Sequence, residues 1–267
     1  QFEIPSFITT IGKYSFSECK NLTEIIIPSS VIKIEDHAFS YCSSLIQITI
    51  PSSVKTIGNE IIYQCYSLEK IIIPPVIHCI EKQQFQSFTK LKEFKIPLSV
   101  GKIKQYAFNE CTSITKIDIP SSVEIIDDFA FSKCISLVEI IIPDSVRQIG
   151  KCAFKSCQSL KLVILSSSLE LIEESLFEEC TSLEKIVILS NVKSINAFSF
   201  YQCTSLKEVC ISSSVETIKF NAFSGCCSLE HVLFDSNSNL TTIDFYAFEN
   251  CASLQEIDFS QSKDLHL

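Results

Sequence analysis

Cysteine is the residue type that most suggests chemistry in this sequence, because fourteen cysteines occur among 267 residues. Thiols form disulfides, bind metal ions or pack as small apolar groups. Ten of the cysteines follow one 23-residue spacing, with Phe88 in the single gap and a 25-residue step before the last. Because the series accepts phenylalanine, it is predicted to be an apolar core position. The ten are Cys19, Cys42, Cys65, Cys111, Cys134, Cys157, Cys180, Cys203, Cys226 and Cys251.

A stacked cysteine series leaves three arrangements open: buried thiols, disulfides and metal ligands. Neighbouring Cα atoms would lie about 4.8 Å apart, within reach of a disulfide, but their Cβ atoms would point the same way. Ligands stacked in a line do not surround an ion, and no C-x-x-C pair occurs. We therefore expect a column of buried thiols, with no metal and no other cofactor. The cysteines outside the series are Cys79, Cys152, Cys210 and Cys227.

Histidines and clustered carboxylates are the other candidates for chemistry. His231 is expected beside Glu208, but no nucleophile or orienting group accompanies that pair. The acidic cluster Glu173, Glu174, Glu178 and Glu179 matches no calcium-loop spacing, so it is interpreted as a solvated surface. The chain is therefore predicted not to be an enzyme. The remaining histidines, which do not recur with the spacing, are His37, His78 and His266.

The cysteine series belongs to a repeat that runs through the whole sequence. Each unit reads F-x-x-C-x-x-L-x-x-I-x-I-P-x-S-V-x-x-I, followed by a polar turn and A-F. A period of this length indicates a solenoid, in which each unit packs on its neighbours. About eleven units are expected, with a two-residue insertion near Asn237–Asn239. The phenylalanine column contains Phe16, Phe39, Phe85, Phe108, Phe131, Phe154, Phe177, Phe200, Phe223 and Phe248, with Ile62 in its gap.

The repeat predicts a short strand followed by a return segment. L-x-x-I-x-I ends in alternation, which is typical of a half-buried strand, and a proline such as Pro28 ends it. Stacked strands would form a parallel concave sheet. The A-F pair, as in Ala38 and Phe39, would close the convex side in a 3₁₀ or short helical turn. The predicted fold is a strongly β-rich α/β solenoid, a right-handed β-α superhelix with one short strand per 23-residue repeat.

Two rows of side chains are predicted to face solvent on the concave sheet, because residues alternate along a strand. One row is apolar in five consecutive units, giving a stripe about 20 Å long at ~4.8 Å per strand. Exposed apolar surface usually marks a contact site, although β-branched residues also simply favour strands. The row beside it is mostly charged. The predicted partner-binding residues are Ile141, Ile164, Val187, Cys210 and Leu233 with Glu139, Lys185, Glu208 and His231.

Charge and hydropathy narrow the class of partner. The net charge of −9 and the sequence pI near 5.0 argue against nucleic-acid binding, which needs clustered Lys and Arg. No run of 18 apolar residues occurs, so no transmembrane segment is predicted in this chain. The sequence begins with Gln1 and shows no signal peptide. A protein partner is therefore expected.

The repeat, seen clearly in Leu45–Val54 and Ile149–Cys157, resembles the BspA-like class of leucine-rich repeats along the whole chain. The resemblance implies one leucine-rich-repeat domain over residues 1–267, with a partial repeat at the N-terminus. It also implies a cell-surface or secreted adhesion protein of mouth and gut bacteria or parasitic protists, with a host-cell or matrix protein as partner. The family offers no catalytic residues. The repeat proline is replaced toward the C-terminus by Ser166, Leu189, Ser212 and Asp235.

Two further possibilities stay open at this stage. Fourteen thiols would suit a reducing compartment, so the same fold could serve as a cytoplasmic scaffold. Solenoids normally carry polar caps, yet Phe2 and Ile4 already stand in strand register and only Ser260–Leu267 follow Phe259. Either the sequence is part of a longer protein, or its ends and concave faces pair in a homo-oligomer such as a homodimer.

Overall fold

The computed structural model describes residues 2–257, which form a solenoid of short parallel strands in two ladders. The first ladder is the one that the repeat predicts. It contains β1 (Phe2–Glu3), β3 (Glu24–Ile26), β5 (Gln47–Thr49), β7 (Lys70–Ile72), β9 (Glu93–Lys95), β11 (Lys116–Asp118), β13 (Glu139–Ile141), β15 (Leu162–Ile164), β17 (Lys185–Ile188), β19 (Glu208–Ile211), β21 (His231–Phe234) and β23 (Glu256–Ile257). The positions discussed above at Phe259, His266 and Ser260–Leu267 lie outside the described residues.

The second ladder consists of two-residue strands at the V-x-x-I pair of each repeat, where the sequence predicts only a buried return segment. It contains β2 (Thr10–Ile11), β4 (Lys33–Ile34), β6 (Thr56–Ile57), β8 (Cys79–Ile80), β10 (Lys102–Ile103), β12 (Ile125–Ile126), β14 (Gln148–Ile149), β16 (Leu171–Ile172), β18 (Ser194–Ile195), β20 (Thr217–Ile218) and β22 (Thr242–Ile243). Except at the two interruptions described below, each coil therefore hydrogen-bonds to its neighbours through two ladders.

Pairing in both ladders is parallel and follows the repeat. Ile140 lies beside Val163 in the first ladder, and Ile126 lies beside Ile149 in the second. Both pairs are 23 residues apart, so equivalent residues of successive coils stack on one another. The parallel solenoid that the repeat predicts is therefore confirmed.

The helical turns expected on the convex side are not formed in the described residues, where this segment consists of turns. The reason is the backbone: each coil has two residues with positive φ, such as Tyr14 at 57° and Glu18 at 59°. Left-handed residues four apart cannot lie within an α-helix. The N–H groups bond to the next coil instead, as Phe16 does to the carbonyl of Ala38 at 2.8 Å. The expected α/β superhelix is thus an all-β solenoid.

The core consists of the repeat columns stacked inside the coils. The phenylalanine column forms parallel ring pairs, with Phe108 and Phe131 at 5.2 Å and Phe131 and Phe154 at 5.3 Å between centroids. All three rings are fully buried. Burial of each such ring contributes about 1.5–3 kcal/mol, so the column stabilises every coil against both neighbours.

Strand pairing is interrupted at two steps between successive coils, and at each step both ladders are interrupted together. One lies between residues 56–72 and residues 79–95, because β6 does not pair with β8 and β7 does not pair with β9. We call this the first junction. The second junction lies between residues 148–164 and 171–187, where β14 and β16, and β15 and β17, are unpaired.

Candidate protein-binding face

The outward side of the first ladder corresponds to the predicted concave face, and we call it the strand face. Ile141, Ile164, Val187 and Leu233 lie on it with 45% to 52% of their surface exposed, and Cys210 is half-buried. Ile141 lies beside Ile164, and Cys210 lies between Val187 and Leu233. The structure therefore exposes the apolar stripe that the alternation predicts. Its role in binding stays a prediction.

The charged row beside the stripe is largely paired within itself. Lys185 donates a hydrogen bond to Glu208, which holds the pKa of that carboxyl below its usual range. His231 is the Cα partner of Glu208, as predicted, but its nearest carboxylate is Glu230, 3.9 Å from Nε2. Because these side chains pair with one another, few unpaired charges border the stripe near Val187, Cys210 and Leu233.

The charged side chains beside Ile141, where the stripe begins, are also paired with one another. Lys116 lies 3.1 Å from Glu139 and 3.7 Å from Asp118, so one lysine is shared by two carboxylates. Its pKa is raised, chiefly by the hydrogen bond to Glu139. All nine predicted binding residues thus lie on one face. In the coils before Ile141, the row that contains the apolar stripe reads Ile26, Thr49, Ile72, Lys95 and Asp118.

The structure adds Leu162 to the predicted set. Leu162 and Ile164 both point outward from β15, and with Val187 and Leu189 of the next coil they line a groove. The groove lies at the second junction, where β15 and β17 do not pair. The signal for Leu162 is present in the sequence, because it is an aliphatic residue in an otherwise polar row.

Eight of the ten column cysteines are buried, as predicted, and Cys19 and Cys251 near its two ends are partly buried. All fourteen cysteines are free thiols, and the thiols of nine column members donate to the carbonyl of a phenylalanine in the preceding coil. Cys134, for example, donates to Phe108 at 3.2 Å. Burial raises the pKa of Cys157 to about 12, so its thiolate is not formed near neutral pH. The column therefore holds coils together.

The cysteines outside the column differ in exposure. Cys227 is exposed, whereas Cys79, Cys152 and Cys210 are half-buried. The Cys210 thiol donates to Glu208 at 3.4 Å, and burial raises its pKa. Cys210 is thus a weakly polar member of the stripe, protonated at neutral pH.

The acidic cluster is paired across the second junction instead of forming an ion site. Lys151 and Lys155 each lie 2.8 Å from a carboxylate of the next coil, Glu174 and Glu178 respectively. Glu179 accepts a hydrogen bond from Ser156 at 2.7 Å. Within residues 2–257, no group of three or more His, Cys, Asp or Glu side chains is arranged to hold a metal ion.

His37 likewise has a packing role. Its ring stacks on Tyr14, with 4.8 Å between centroids and nearly parallel planes, on the turn side of the solenoid. Its Nδ1 lies 3.6 Å from Glu60. The histidine is therefore held by neighbours in the adjoining coils, away from the strand face.

The repeat geometry agrees with a comparison against protein-family models. The model of the BspA type leucine rich repeat region matches residues 1–115, 101–230 and 172–265. The chain belongs to this family. Stacked L-x-x-I-x-I strands and the buried cysteine column are therefore the BspA-type repeat as it is built in this chain. No curated protein sequence matches the chain.

Solved structures support the same fold. A leucine-rich repeat protein from Bacteroides ovatus is 30% identical, with a TM-score of 0.75 over 95% of this chain and 76% of that one. A leucine rich cell surface protein from Faecalibacterium prausnitzii is 29% identical, with a TM-score of 0.54 over 92% and 74%. A leucine-rich repeat protein from Eubacterium ventriosum shares the fold at 24% identity, with a TM-score of 0.61 over 96% and 83%.

One further observation concerns membranes. The part of the chain that the structure describes contains no helix of the length and apolarity needed to cross a bilayer.

Proposed function

We propose that this BspA-type chain is a non-catalytic protein-binding module that holds its partner on the strand face. The observation that carries the proposal is the exposed stripe with its groove at Leu162, Ile164 and Val187. The fold does not require apolar residues there, because Lys95 and Asp118 occupy the same row elsewhere. Burying each aliphatic side chain against a partner gains about 1.5–3 kcal/mol. A few such anchors typically carry most of the affinity of an interface.

The partner that we propose is a protein outside the cell, on a host-cell surface or in the matrix. The similarity to the Faecalibacterium prausnitzii cell surface protein supports a surface or secreted location. Paired charges around the stripe favour a partner that contributes mainly apolar and polar contacts. Adhesion would then follow from display of the strand face.

Binding to immobilised fibronectin and laminin, measured by surface plasmon resonance, tests the proposal. Ile164→Lys and Val187→Glu each place a charge in the groove and should weaken binding at least tenfold, a loss of about 1.4 kcal/mol or more. Thr49→Lys is the matched control, because it adds a charge to the same row outside the stripe. Far-UV circular dichroism and Tm should be unchanged, since all three side chains are exposed. Unaltered binding by both groove variants would contradict the proposal.

A second copy of the chain is the alternative partner, because a stripe on one face can pair with itself across a two-fold axis. Light scattering of the purified chain separates the two. A dimer that Val187→Glu dissociates and Thr49→Lys does not would favour self-association through the stripe.

The fourteen free thiols favour a further alternative, an intracellular scaffold. Titration of thiols on protein isolated from its source cell distinguishes the compartments. Full recovery of free Cys227 without a reductant would favour the scaffold, because this exposed thiol would be the first to oxidise.

A further inference from the structure

The first junction departs from the repeat at several positions at once. Pro75 and Leu98 occupy a column that is serine in most neighbouring coils, and Leu98 is 73% exposed. A leucine with so much surface in water has no role in the core. Phe88, in the next coil, interrupts the cysteine column. The serines of the column occupied by Pro75 and Leu98 include Ser29, Ser52, Ser121, Ser167, Ser190 and Ser213.

The two coils that meet there are also unusually loosely connected. Among the described residues, no hydrogen bond and no ion pair joins residues 56–72 to residues 79–95. Phe88 cannot supply the thiol that elsewhere donates to the preceding coil. The facing edges of β7 and β9 therefore have backbone N–H and C=O groups without ladder partners, on either side of the junction.

A cleft opens on the strand face at this junction. Its walls are apolar and come from the end of β7, the loop that follows it and the corresponding loop of the next coil. Lys95 stands at its border and projects from β9. The apolar lining consists of Ile71, Ile72, Ile73, Pro75, Pro97 and Leu98.

Lys95 is the feature that selects a ligand by charge. Within residues 2–257 its ammonium has no carboxylate within ion-pair distance. Lys116 and Lys185 on the same face are both paired, and Lys70, which is also unpaired, lies outside the cleft lining. An unpaired cation beside exposed leucine and isoleucine complements a group that is acidic and aliphatic together.

We propose that this cleft binds a peptide segment in which an aspartate or glutamate stands next to leucine-like residues. The carboxylate pairs with Lys95, and the aliphatic side chains pack against Leu98 and Ile72. This site is separate from the stripe and rests on the proposed function only in that its ligand is part of a protein.

The test uses the blocked peptide acetyl-Leu-Asp-Leu-Leu-amide, titrated into the ¹⁵N-labelled chain and followed by NMR chemical shifts. Leu98→Ser restores the residue of the neighbouring coils and should weaken Kd about tenfold, through lost apolar burial. Lys95→Gln should weaken it about two- to fivefold, as expected for one exposed ion pair. The asparagine analogue of the peptide should show the same loss toward the unmodified chain. Lys70→Gln, an exposed lysine of β7 outside the cleft lining, is the matched control and should leave Kd unchanged.

The outcomes are decisive in both directions. Shifts confined to the cleft, with both losses and an unaffected control, support the site. Absence of binding at millimolar peptide, or equal Kd for Leu98→Ser and the unmodified chain, overturns it. Val187→Glu should not change peptide binding, so failure of the stripe and failure of the cleft are distinguishable.

Discussion

The two junctions make the most informative comparison within the molecule. Both lack ladder pairing, and both have a cleft on the strand face. At the second junction the turn side stays bonded: Phe154 donates to the carbonyl of Leu176 at 3.0 Å, and Lys155 pairs with Glu178. At the first junction the described residues show no such bond. The turn side therefore decides whether two coils with open ladders stay tied together.

The comparison separates what the repeat requires from what it permits. Core columns and left-handed turn residues continue across both junctions, so the solenoid passes through each. Ladder hydrogen bonds at the strand face are dispensable for one coil step. At both junctions outward side chains line clefts, and these clefts contain two exposed residues that the core does not explain, Leu162 and Leu98.

The largest expected effect is the loss of stability when a core phenylalanine beside a junction is replaced, and its extent along the chain differs between the two junctions. Phe177 is buried and stacks at 5.6 Å on both Phe154 and Phe200. Phe177→Ala should cost about 3–5 kcal/mol of stability. Because the second junction is bridged, hydrogen exchange measured by mass spectrometry should rise in residues 148–164 as well as in 171–187.

Phe85→Ala is the matched variant at the first junction. Phe85 is equally buried and stacks on Phe108 at 5.0 Å, so a similar cost is expected. Exchange should rise in residues 102–118 and much less in residues 56–72, because no hydrogen bond joins that coil to the next. Equal loss of protection on both sides would show that the first junction is as well coupled as the second.

A smaller effect is expected from the glycines that precede the junctions. The coils before them carry Gly58 and Gly150 at equivalent positions. A methyl group on Gly150 would lie 2.3 Å from the backbone nitrogen of Asp128 in the preceding coil. Gly150→Ala should therefore cost about 1–3 kcal/mol through overpacking, measured by urea denaturation. At Gly101, the control, the nearest atom would be 3.7 Å away, so Gly101→Ala should be neutral or slightly stabilising.

The repeat was sufficient to predict the parallel solenoid and the burial of its columns, because side-chain alternation and a fixed period leave one way to stack the coils. The repeat did not predict the backbone conformation of the A-F segment on the turn side of the solenoid. The A-F segment has the composition of a short helix, but residues such as Tyr14 and Glu18 adopt positive φ to bond with the next coil. That choice depends on contacts between coils and is invisible to local propensity.

The candidate site was predictable only in part, for a related reason. Exposure of Ile141 and Ile164 followed from strand alternation alone. The groove at Leu162 and the cleft at Leu98 are each lined by residues of two successive coils, which no single column reports. Leu162 and Leu98 are nevertheless apolar residues in columns that are mostly polar. Residues that depart from the repeat are therefore the sequence signal for a site in this fold.

The smallest expected effect tests the ion pair that helps to tie the second junction. Lys155 and Glu178 lie 2.8 Å apart and are both partly shielded, in contrast to the more exposed Lys151 and Glu174. Lys155→Gln should cost about 0.5 kcal/mol at low salt, as expected for a partly screened pair. Lys151→Gln should cost less, and both losses should shrink in high salt.

The direction of the Lys155 pKa shift determines how the stabilisation from this ion pair changes with pH. Burial on its own lowers the pKa of Lys155, but the hydrogen bond to Glu178 and the charges of Glu178, Cys152 and Glu179 together raise it above its ordinary value. The stabilisation is therefore complete below the pKa of an unfolded lysine and is lost as pH rises through the higher folded value. Urea denaturation should show the gap between the unmodified chain and Lys155→Gln persisting at neutral pH and closing in strong alkali. A gap independent of both salt and pH would mean that Lys155 contributes packing, and that the turn-side hydrogen bonds alone hold the second junction.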